Sequence, residues 1–174
     1  MRASVFIATS LDGFIAREDG SLDWLPVGGG EEHGYTAFMA TVDAIVMGRN
    51  TFETVLTFEA WPFGKKPVVV LTTRPYTDPA PENAVLEFMR GNAHEILDRL
   101  AARGMGHVYV DGGITVQRFL EAGLVQRLTI TRIPVLLGRG IPLFGSLSRE
   151  TRLEHLSTRS YAGGMVTSEY EIAP

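Results

Sequence analysis

The chain has 174 residues, of which 45% are hydrophobic and 21% charged, a composition typical of a globular protein, and we expect a single domain over residues 1–174. Its formal net charge of −4 argues against nucleic acid or an anionic membrane as a partner. The absence of cysteine excludes disulfides, thiolate chemistry and cysteine-ligated zinc, and the four histidines lack metal-ligand spacing, so we expect no metal site.

The N-terminal stretch MRASVFIATSLDGFIA turns polar too early for a signal peptide. No apolar run approaches the roughly 18 residues that a membrane helix needs. A chain without cysteine suits a reducing compartment, so we expect a cytoplasmic protein.

Strands and helices are predicted to alternate over the first two thirds of the chain. Four short apolar runs predict strands buried on both faces, as in a parallel sheet: Val5–Ala8, Ala44–Met47, Val68–Leu71 and Val108–Val110. Three stretches with apolar residues at helical spacing predict helices: 31–41, 93–101 and 116–124. Asn92, with Glu95 three residues on, predicts the start of the second of these helices.

The last third alternates polar and apolar residues, which predicts antiparallel strands. The Ala162-Gly163-Gly164 turn separates residues 153–161 from residues 165–172 and predicts a hairpin. We therefore predict an α/β fold whose mostly parallel sheet gains antiparallel strands at its C-terminal edge.

Three predicted strands end in polar or glycine-rich segments: Gly48-Arg49-Asn50-Thr51, Thr72-Thr73-Arg74 and Asp111-Gly112-Gly113-Ile114-Thr115. Ligands of such sheets bind beyond the carboxyl ends of the strands. Backbone N–H groups, hydroxyls and guanidinium groups are ligands for phosphate, so these segments predict a nucleotide site. Neither a G-x-G-x-x-G fingerprint nor a P-loop is present.

The chain resembles the dihydrofolate reductase superfamily, and within it the small reductases related to the C-terminal domain of the riboflavin-biosynthesis pyrimidine reductase. The resemblance is carried by IATSLDGFIA, DAIVMGRNTFE, PVVVLTTRP, VYVDGGITVQRFLEAGLVQRLTITRIPVLLGRGIPLF and the closing hairpin, in family order over nearly the whole chain. It implies a dihydrofolate-reductase-like three-layer sandwich and NADPH-dependent reduction of a small heterocyclic, carbonyl or imine substrate. The pyrimidine reductase itself and a non-catalytic NADP-binding module are the alternatives.

The resemblance also implies a cofactor site at the three strand ends. Its residues are Ala8, Gly48, Arg49, Asn50, Thr51, Leu71, Thr72, Thr73, Arg74, Gly112, Gly113, Ile114, Thr115 and Val116. Arg49, together with the second strand end, is expected to meet the 2′-phosphate of NADPH. The alternative for Arg49 is an ordinary exposed arginine.

On the substrate side the resemblance implies Asp111 as the acid that faces the substrate, and we expect it mainly to orient the substrate, while Glu31 or Glu32 is a candidate for protonation across the cleft. A helix cap is the alternative for Asp111, and a charge at a helix N-terminus is the alternative for the glutamates. The other predicted substrate contacts are Asp12, Trp24, Tyr35 and Phe38. Asp12 could equally serve a turn, and the two helical aromatics could belong to the core.

Two expectations concern motion and assembly. Residues 16–30, with their Gly28–Gly30 run, are expected to form a lid over the site. The segment from Leu124 to Phe144 is rich in large apolar residues, and relatives pair through such strands, so we expect a homodimer. Burial of this segment in the monomer core is the alternative.

Overall fold

A computed structural model describes residues 1–26 and 33–173 of the chain. Its ten strands are β1 (Arg2–Ser10), β2 (Phe14–Ala16), β3 (Ala44–Gly48), β4 (Pro67–Leu71), β5 (Val85–Met89), β6 (His107–Asp111), β7 (Arg127–Ile133), β8 (Ile141–Pro142), β9 (Leu153–Ser160) and β10 (Val166–Ile172). Its α-helices are α1 (Tyr35–Thr41), α2 (Arg49–Val55), α3 (Ala93–Ala101) and α4 (Gly113–Glu121). No helix among these residues is long and apolar enough to cross a membrane.

Eight strands form one sheet in the order β5-β4-β3-β6-β1-β7-β10-β9, and β2 pairs with β8 in a separate ribbon. The six strands from β5 to β7 are parallel to one another. Strand β10 is antiparallel to both β7 and β9. The predicted fold class is therefore confirmed, including the antiparallel C-terminal strands.

Each face of the sheet has its own apolar core. On one face, α3 and α4 pack through Leu100 and Phe119 onto Val5, Val46 and Val110. On the other face, α2 buries Phe52 completely against Ile45 and Met47, and α1 adds partly buried aromatic rings. The strands between the two cores are covered on both sides, which explains their continuous apolar runs.

The last predicted helix differs from the structure at both of its ends. The last α-helix begins at Gly113, three residues before the predicted start, and its C-cap is Ala122. The pattern placed Leu124 within this helix, but Gly123 has a φ of 68° and ends it. Leu124 still packs against the same core, so an apolar residue at helical spacing lies beyond the helix.

Strands β2, β5 and β8 were not predicted. Strand β5 lies at the edge of the sheet and exposes Val85 and Phe88, so it lacks the buried run that marks the inner strands. Strands β2 and β8 have three and two residues, too few for a recognisable alternation. The predicted first helix began at residue 31, and residues 31 and 32 lie outside the described part.

The segment from Leu124 to Phe144 contains two kinds of apolar residue. Leu128 and Ile130 lie on β7, between β1 and β10, and are buried in the monomer core. Beyond the strand, Leu136 is 69% exposed and Phe144 is 47% exposed. The monomer core explains the apolar residues of β7. A partner chain could therefore contact only the exposed apolar residues after this strand.

Candidate functional site

The three polar strand ends lie side by side at one edge of the sheet. Gly48 at the end of β3 pairs with Leu71 at the end of β4. Met47, one residue earlier, pairs with Asp111 at the end of β6. Parallel register thus brings together the segments that the sequence separates by more than 20 residues each.

Arg49 opens α2 directly at this edge, and its side chain is largely enclosed. Its Nε donates to Glu53 Oε1 at 2.6 Å, and its Nη1 donates to the carbonyl oxygen of Pro75 at 3.3 Å. The guanidinium carbon lies 5.4 Å from the centre of the Tyr76 ring. The side chain is 17% exposed, so the alternative of an ordinary exposed arginine does not describe it.

The exit of β4 is held in a defined turn. Thr72 N–H donates to Met89 O on β5, and Arg74 N–H donates to Thr72 Oγ1 at 3.0 Å. Leu71 and Thr72 are half-buried, while Thr73 and Arg74 are exposed to solvent. Because β3 pairs with β4 in parallel, this turn lies at the same edge of the sheet as Arg49.

Arg90 is a further cation at this edge that the sequence analysis missed. It follows β5 directly, and its Nη2 donates to the carbonyl oxygen of Thr73 at 2.7 Å. Its own carbonyl oxygen accepts from Arg99 Nη1 on α3. The only signal in the sequence was an Arg-Gly pair ahead of the Asn92 cap, and without β5 that pair had no position in the sheet.

The Gly112 turn brings the ends of α2 and α4 into close contact. Gly112 has a φ of 87°, and a Cβ atom there would collide with Thr51 Oγ1. A Cβ atom on Gly48 would likewise lie 2.9 Å from Thr115 Oγ1. Glycine leaves room for the close contact at both points, and at Gly112 it also permits the positive φ.

The remaining predicted cofactor residues surround this turn. Ile114 is 59% exposed at the first turn of α4, whereas Thr115 and Val116 are buried. Gly113 is buried against Ile15 and the Pro142 carbonyl. Asn50 is exposed, and Ala8 is half-buried on β1 beside Thr131. The first N–H groups of α4 have no partner within a helix and can meet an anion.

Asp111 is a carboxylate in an apolar setting. Its Oδ1 accepts from Gly112 N–H at 2.8 Å. Burial raises its pKa to about 6, although the hydrogen bond from Gly112 N–H acts in the opposite direction. The N-cap of α4 is Gly112, and no side chain caps that helix, so Asp111 is not its helix cap.

An aromatic cluster lies beside Asp111. Phe38 stacks on Phe6 at 5.0 Å and meets Tyr109 edge-on at 5.2 Å, and Tyr35 meets Phe6 at 5.6 Å. Tyr109 is 5% exposed, and its hydroxyl donates to the Phe6 carbonyl oxygen. Burial, with a smaller effect of the Asp111 charge, raises the pKa of Tyr35 to about 12. Tyr35 and Phe38 thus pack into this cluster while lying close to the acid.

Asp12 connects two loops through hydrogen bonds. Its carboxylate accepts from Ser10 Oγ at 2.6 Å and from the backbone N–H groups of Leu137 and Gly138. These hydrogen bonds lower the pKa of Asp12, with the Ser10 bond contributing most. The carboxylate is bound within the protein, and the role of Asp12 as a substrate contact stays a prediction.

The segment before α1 contains buried polar atoms without partners. Trp24 Nε1 and His33 Nδ1 are buried and find no hydrogen-bond partner in the described part of the chain. The His33 ring lies 4.3 Å from the Tyr161 ring in the turn between β9 and β10. Glu31, Glu32 and the Gly28–Gly30 run of the expected lid lie outside the described residues, so their roles stay predictions.

We predict that Gly112→Ala will lower the melting temperature strongly, because the new methyl group would collide with Thr51 at a φ that L-residues rarely adopt. Gly104→Ala is the matched control, since Gly104 has a φ of 80° but nothing within 4 Å of a Cβ atom. Both variants place alanine at a positive φ, so the difference between their melting temperatures measures the effect of the collision alone. Equal melting temperatures would contradict the close approach of Gly112 to Thr51.

We also predict that Asp111→Asn will stabilise the protein near neutral pH. The folded-state pKa is raised from 3.8 to about 6, so the wild type loses stability as pH rises through this window. At ~1.4 kcal/mol for each unit of pKa, the gain at pH 7 would be up to about 3 kcal/mol in the free energy of unfolding. Urea unfolding between pH 4 and pH 7, with Asp78→Asn as an exposed control, measures it. A gain that does not grow with pH would contradict the burial of this charge.

Comparisons with known proteins agree on one family. The RibD C-terminal domain family matches residues 4–167. The protein YwjB of Bacillus subtilis is 36% identical over 160 residues, which cover 90% of this chain and 90% of YwjB. The crystal structure of a proposed riboflavin biosynthesis protein from Shewanella sp. PV-4 has a TM-score of 0.92 and 38% identity, and each chain is covered completely.

Two more distant crystal structures share the fold alone. One is a diaminohydroxyphosphoribosylaminopyrimidine deaminase/5-amino-6-(5-phosphoribosylamino)uracil reductase from Thermotoga maritima, with a TM-score of 0.75 and 15% identity over 99% of this chain and 56% of that chain. The other is dihydrofolate reductase from Enterococcus faecalis, complexed with NADP(H), with a TM-score of 0.68 and 20% identity over 99% of this chain and 97% of that chain. Family match, identity and fold together show that the chain belongs to the RibD C-terminal domain family.

Proposed function

We propose that the protein is an NADPH-dependent reductase that transfers a hydride to a small heterocyclic, carbonyl or imine compound. The observation that carries this proposal is the convergence of Arg49, the Thr72–Arg74 turn and the Gly112 turn on one edge of the sheet. Family membership supports a reductase of the pyrimidine reductase type. We further propose that it works as a single domain over residues 1–174 in the cytoplasm.

The residues at this edge suit a dinucleotide that carries an extra phosphate. Arg49, Arg74 and Arg90 offer guanidinium groups, and Thr51, Thr72 and Thr73 offer hydroxyls. This set of donors fits a dianion, because charge-assisted hydrogen bonds to phosphate are the strong ones. The close-packed Gly112 turn and the N–H groups of α4 would receive the pyrophosphate. When bound, NADPH supplies the hydride.

Asp111 would serve the reacting end of the substrate. Its apolar setting raises its pKa to about 6, so a fraction of its carboxyl groups is protonated near neutral pH and can donate a proton. Tyr35 and the Phe6 ring would hold the substrate beside it. Trp24 Nε1 and His33 Nδ1, which are buried and have no hydrogen-bond partner among the described residues, would bind the substrate's polar groups.

The segment over residues 16–30 would close the site against water. In its described part, Arg17 forms an ion pair with Asp23 at 2.6 Å. A cleft lined by Leu22, Thr54, Thr57 and Phe58 lies between this segment and the end of α2.

Reduction of 5-amino-6-(5-phosphoribosylamino)uracil, the reductase activity of the Thermotoga maritima protein that shares the fold, is the second candidate function, and membership of the RibD C-terminal domain family supports it. The present chain matches only 56% of that bifunctional protein. A non-catalytic NADP-binding module is the third candidate. Loss of NADPH absorbance with this uracil, with dihydrofolate and with a panel of small imines and carbonyls separates the three. Binding of NADPH without turnover across the panel would favour the module.

For the cofactor, we predict that NADPH binds at least tenfold more tightly than NADH and that Arg49→Ala removes most of this preference. One charge-assisted hydrogen bond to the 2′-phosphate contributes roughly 1.5–3 kcal/mol, which is tenfold or more in affinity. Titration calorimetry with both cofactors measures the ratio. Arg152→Ala is the control, because the Arg152 side chain is exposed directly before β9, the outermost strand at the other end of the sheet from β4. Equal affinities of the unmodified protein for both cofactors would overturn the assignment.

For the acid, we predict that Asp111→Asn lowers kcat/KM by about tenfold or more, a loss of ~1.4 kcal/mol or more of transition-state stabilisation. The dissociation constant of NADPH should stay within about twofold of the wild type, since Asp111 is assigned to the substrate. As a proton donor, Asp111 makes kcat/KM fall as pH rises above about 6, and the variant should lack this limb. A wild-type profile that falls only toward acid pH would assign Asp111 to substrate orientation instead.

For assembly, we propose a homodimer that uses the exposed apolar residues after β7. Leu11 and Leu136 are 58% and 69% exposed, and Leu11 N–H donates to the neighbouring Val135 carbonyl, so they form one patch. We predict twice the chain mass by light scattering at micromolar concentration, and dissociation in Leu136→Asp. Leu153→Asp is the control, since Leu153 is exposed on β9 outside this patch. A monomeric mass for the unmodified chain would exclude the dimer.

A further inference from the structure

Tyr76 is a rigidly held aromatic ring next to the expected phosphate site. Its ring stacks on Phe88 at 5.0 Å with an angle of 19° between the planes. It also meets the fully buried Phe52 edge-on at 5.2 Å. Its hydroxyl donates to the carbonyl oxygen of Pro79 at 3.2 Å. These three contacts fix the ring in place, although it lies in a loop.

The guanidinium of Arg49 lies over this ring, 5.4 Å from its centre. Its other anchors are Glu53, which binds Nε at 2.6 Å, and the carbonyl oxygen of Pro75, which binds Nη1 at 3.3 Å. A guanidinium group has five N–H donors, of which these two bonds use two. Within the described part of the chain, the other three donors have no hydrogen-bond acceptor.

The two side chains that hold Arg49, Glu53 and Tyr76, differ in their electrostatic effect on a phosphate that binds nearby. Glu53 carries a negative charge that would repel a dianion, and its side chain is 47% exposed. The Tyr76 ring attracts a cation through its π face but carries no net charge. An aromatic anchor therefore restricts the guanidinium without competing for the anion.

We propose that Tyr76 is a positioning residue that holds Arg49 toward the 2′-phosphate and thereby sets the preference of this protein for NADPH over NADH. This inference rests on the proposed function, because it concerns the same cofactor. Tyr76 itself needs no contact with the cofactor. Its effect passes through Arg49, and it is confined to the ligand that carries the extra phosphate.

The test compares Tyr76→Leu with Tyr76→Phe by titration calorimetry of NADPH and NADH. Leucine removes the π face, so the dissociation constant of NADPH should rise by about tenfold while that of NADH changes by less than about twofold. Phenylalanine keeps the ring and loses only the Pro79 bond, so it should retain most of the wild-type preference. Tyr76→Met, which fills similar apolar space, replaces the leucine variant if that variant does not fold.

A double-mutant cycle with Arg49→Ala tests the route of the effect. In the Arg49→Ala background, Tyr76→Leu should change NADPH affinity by less than about twofold, because the positioned group is gone. The inference is overturned if Tyr76→Leu weakens both cofactors equally or acts equally without Arg49. A wild-type protein that binds NADPH and NADH alike would overturn the proposed cofactor and this inference together. Wild-type preference that survives in Tyr76→Leu would overturn the inference alone.

Discussion

Parallel pairing of β4, β3 and β6 is the constraint on which the rest of the site depends. Strands that run in the same direction end at the same edge of the sheet, so three segments distant in sequence lie side by side there. The continuous apolar runs that permit this arrangement are covered by a core on each face. Stability and site geometry therefore share one cause, since any slip of register would separate Gly48 from Leu71 and would also misplace the core residues.

Close contacts between the first turns of α2 and α4 also fix the geometry of this edge. Gly112 passes Thr51, and Gly48 passes Thr115, at distances that leave no room for a side chain. The ends of α2 and α4 are thereby locked to each other, and the polar groups at their first turns keep a fixed separation. Arg49 is restricted in turn by an ion pair, a carbonyl oxygen and an aromatic ring. A preformed set of donors loses less conformational freedom when an anion binds.

Asp111, in contrast, lowers the stability of the folded protein. An ionised carboxylate in apolar surroundings costs folding free energy, and its pKa of about 6 measures that cost. The acid does not cap α4, and its bond to the adjacent Gly112 N–H does not require a carboxylate at this position. A residue that reduces stability without a structural duty is the kind found at functional sites, where chemistry is favoured over stability.

Local patterns in the sequence were sufficient for the inner strands, for α3 with its Asn92 cap and for the closing hairpin, because burial and capping act within a few residues. The same patterns, with the family resemblance, pointed to Arg49, the Thr72–Arg74 turn and the Gly112 turn. Edge strand β5 carries no buried run, so Arg90 could not be placed beside Thr73 until the sheet was known. Residues far apart in the chain likewise produce three further features: the contact of Arg49 with Tyr76, the hydrogen bonds of Asp12 and the raised pKa of Asp111. The sequence by itself determined which chemical groups end each strand, and only the tertiary structure decided which of them meet, because distances and burial depend on packing between elements rather than on order along the chain.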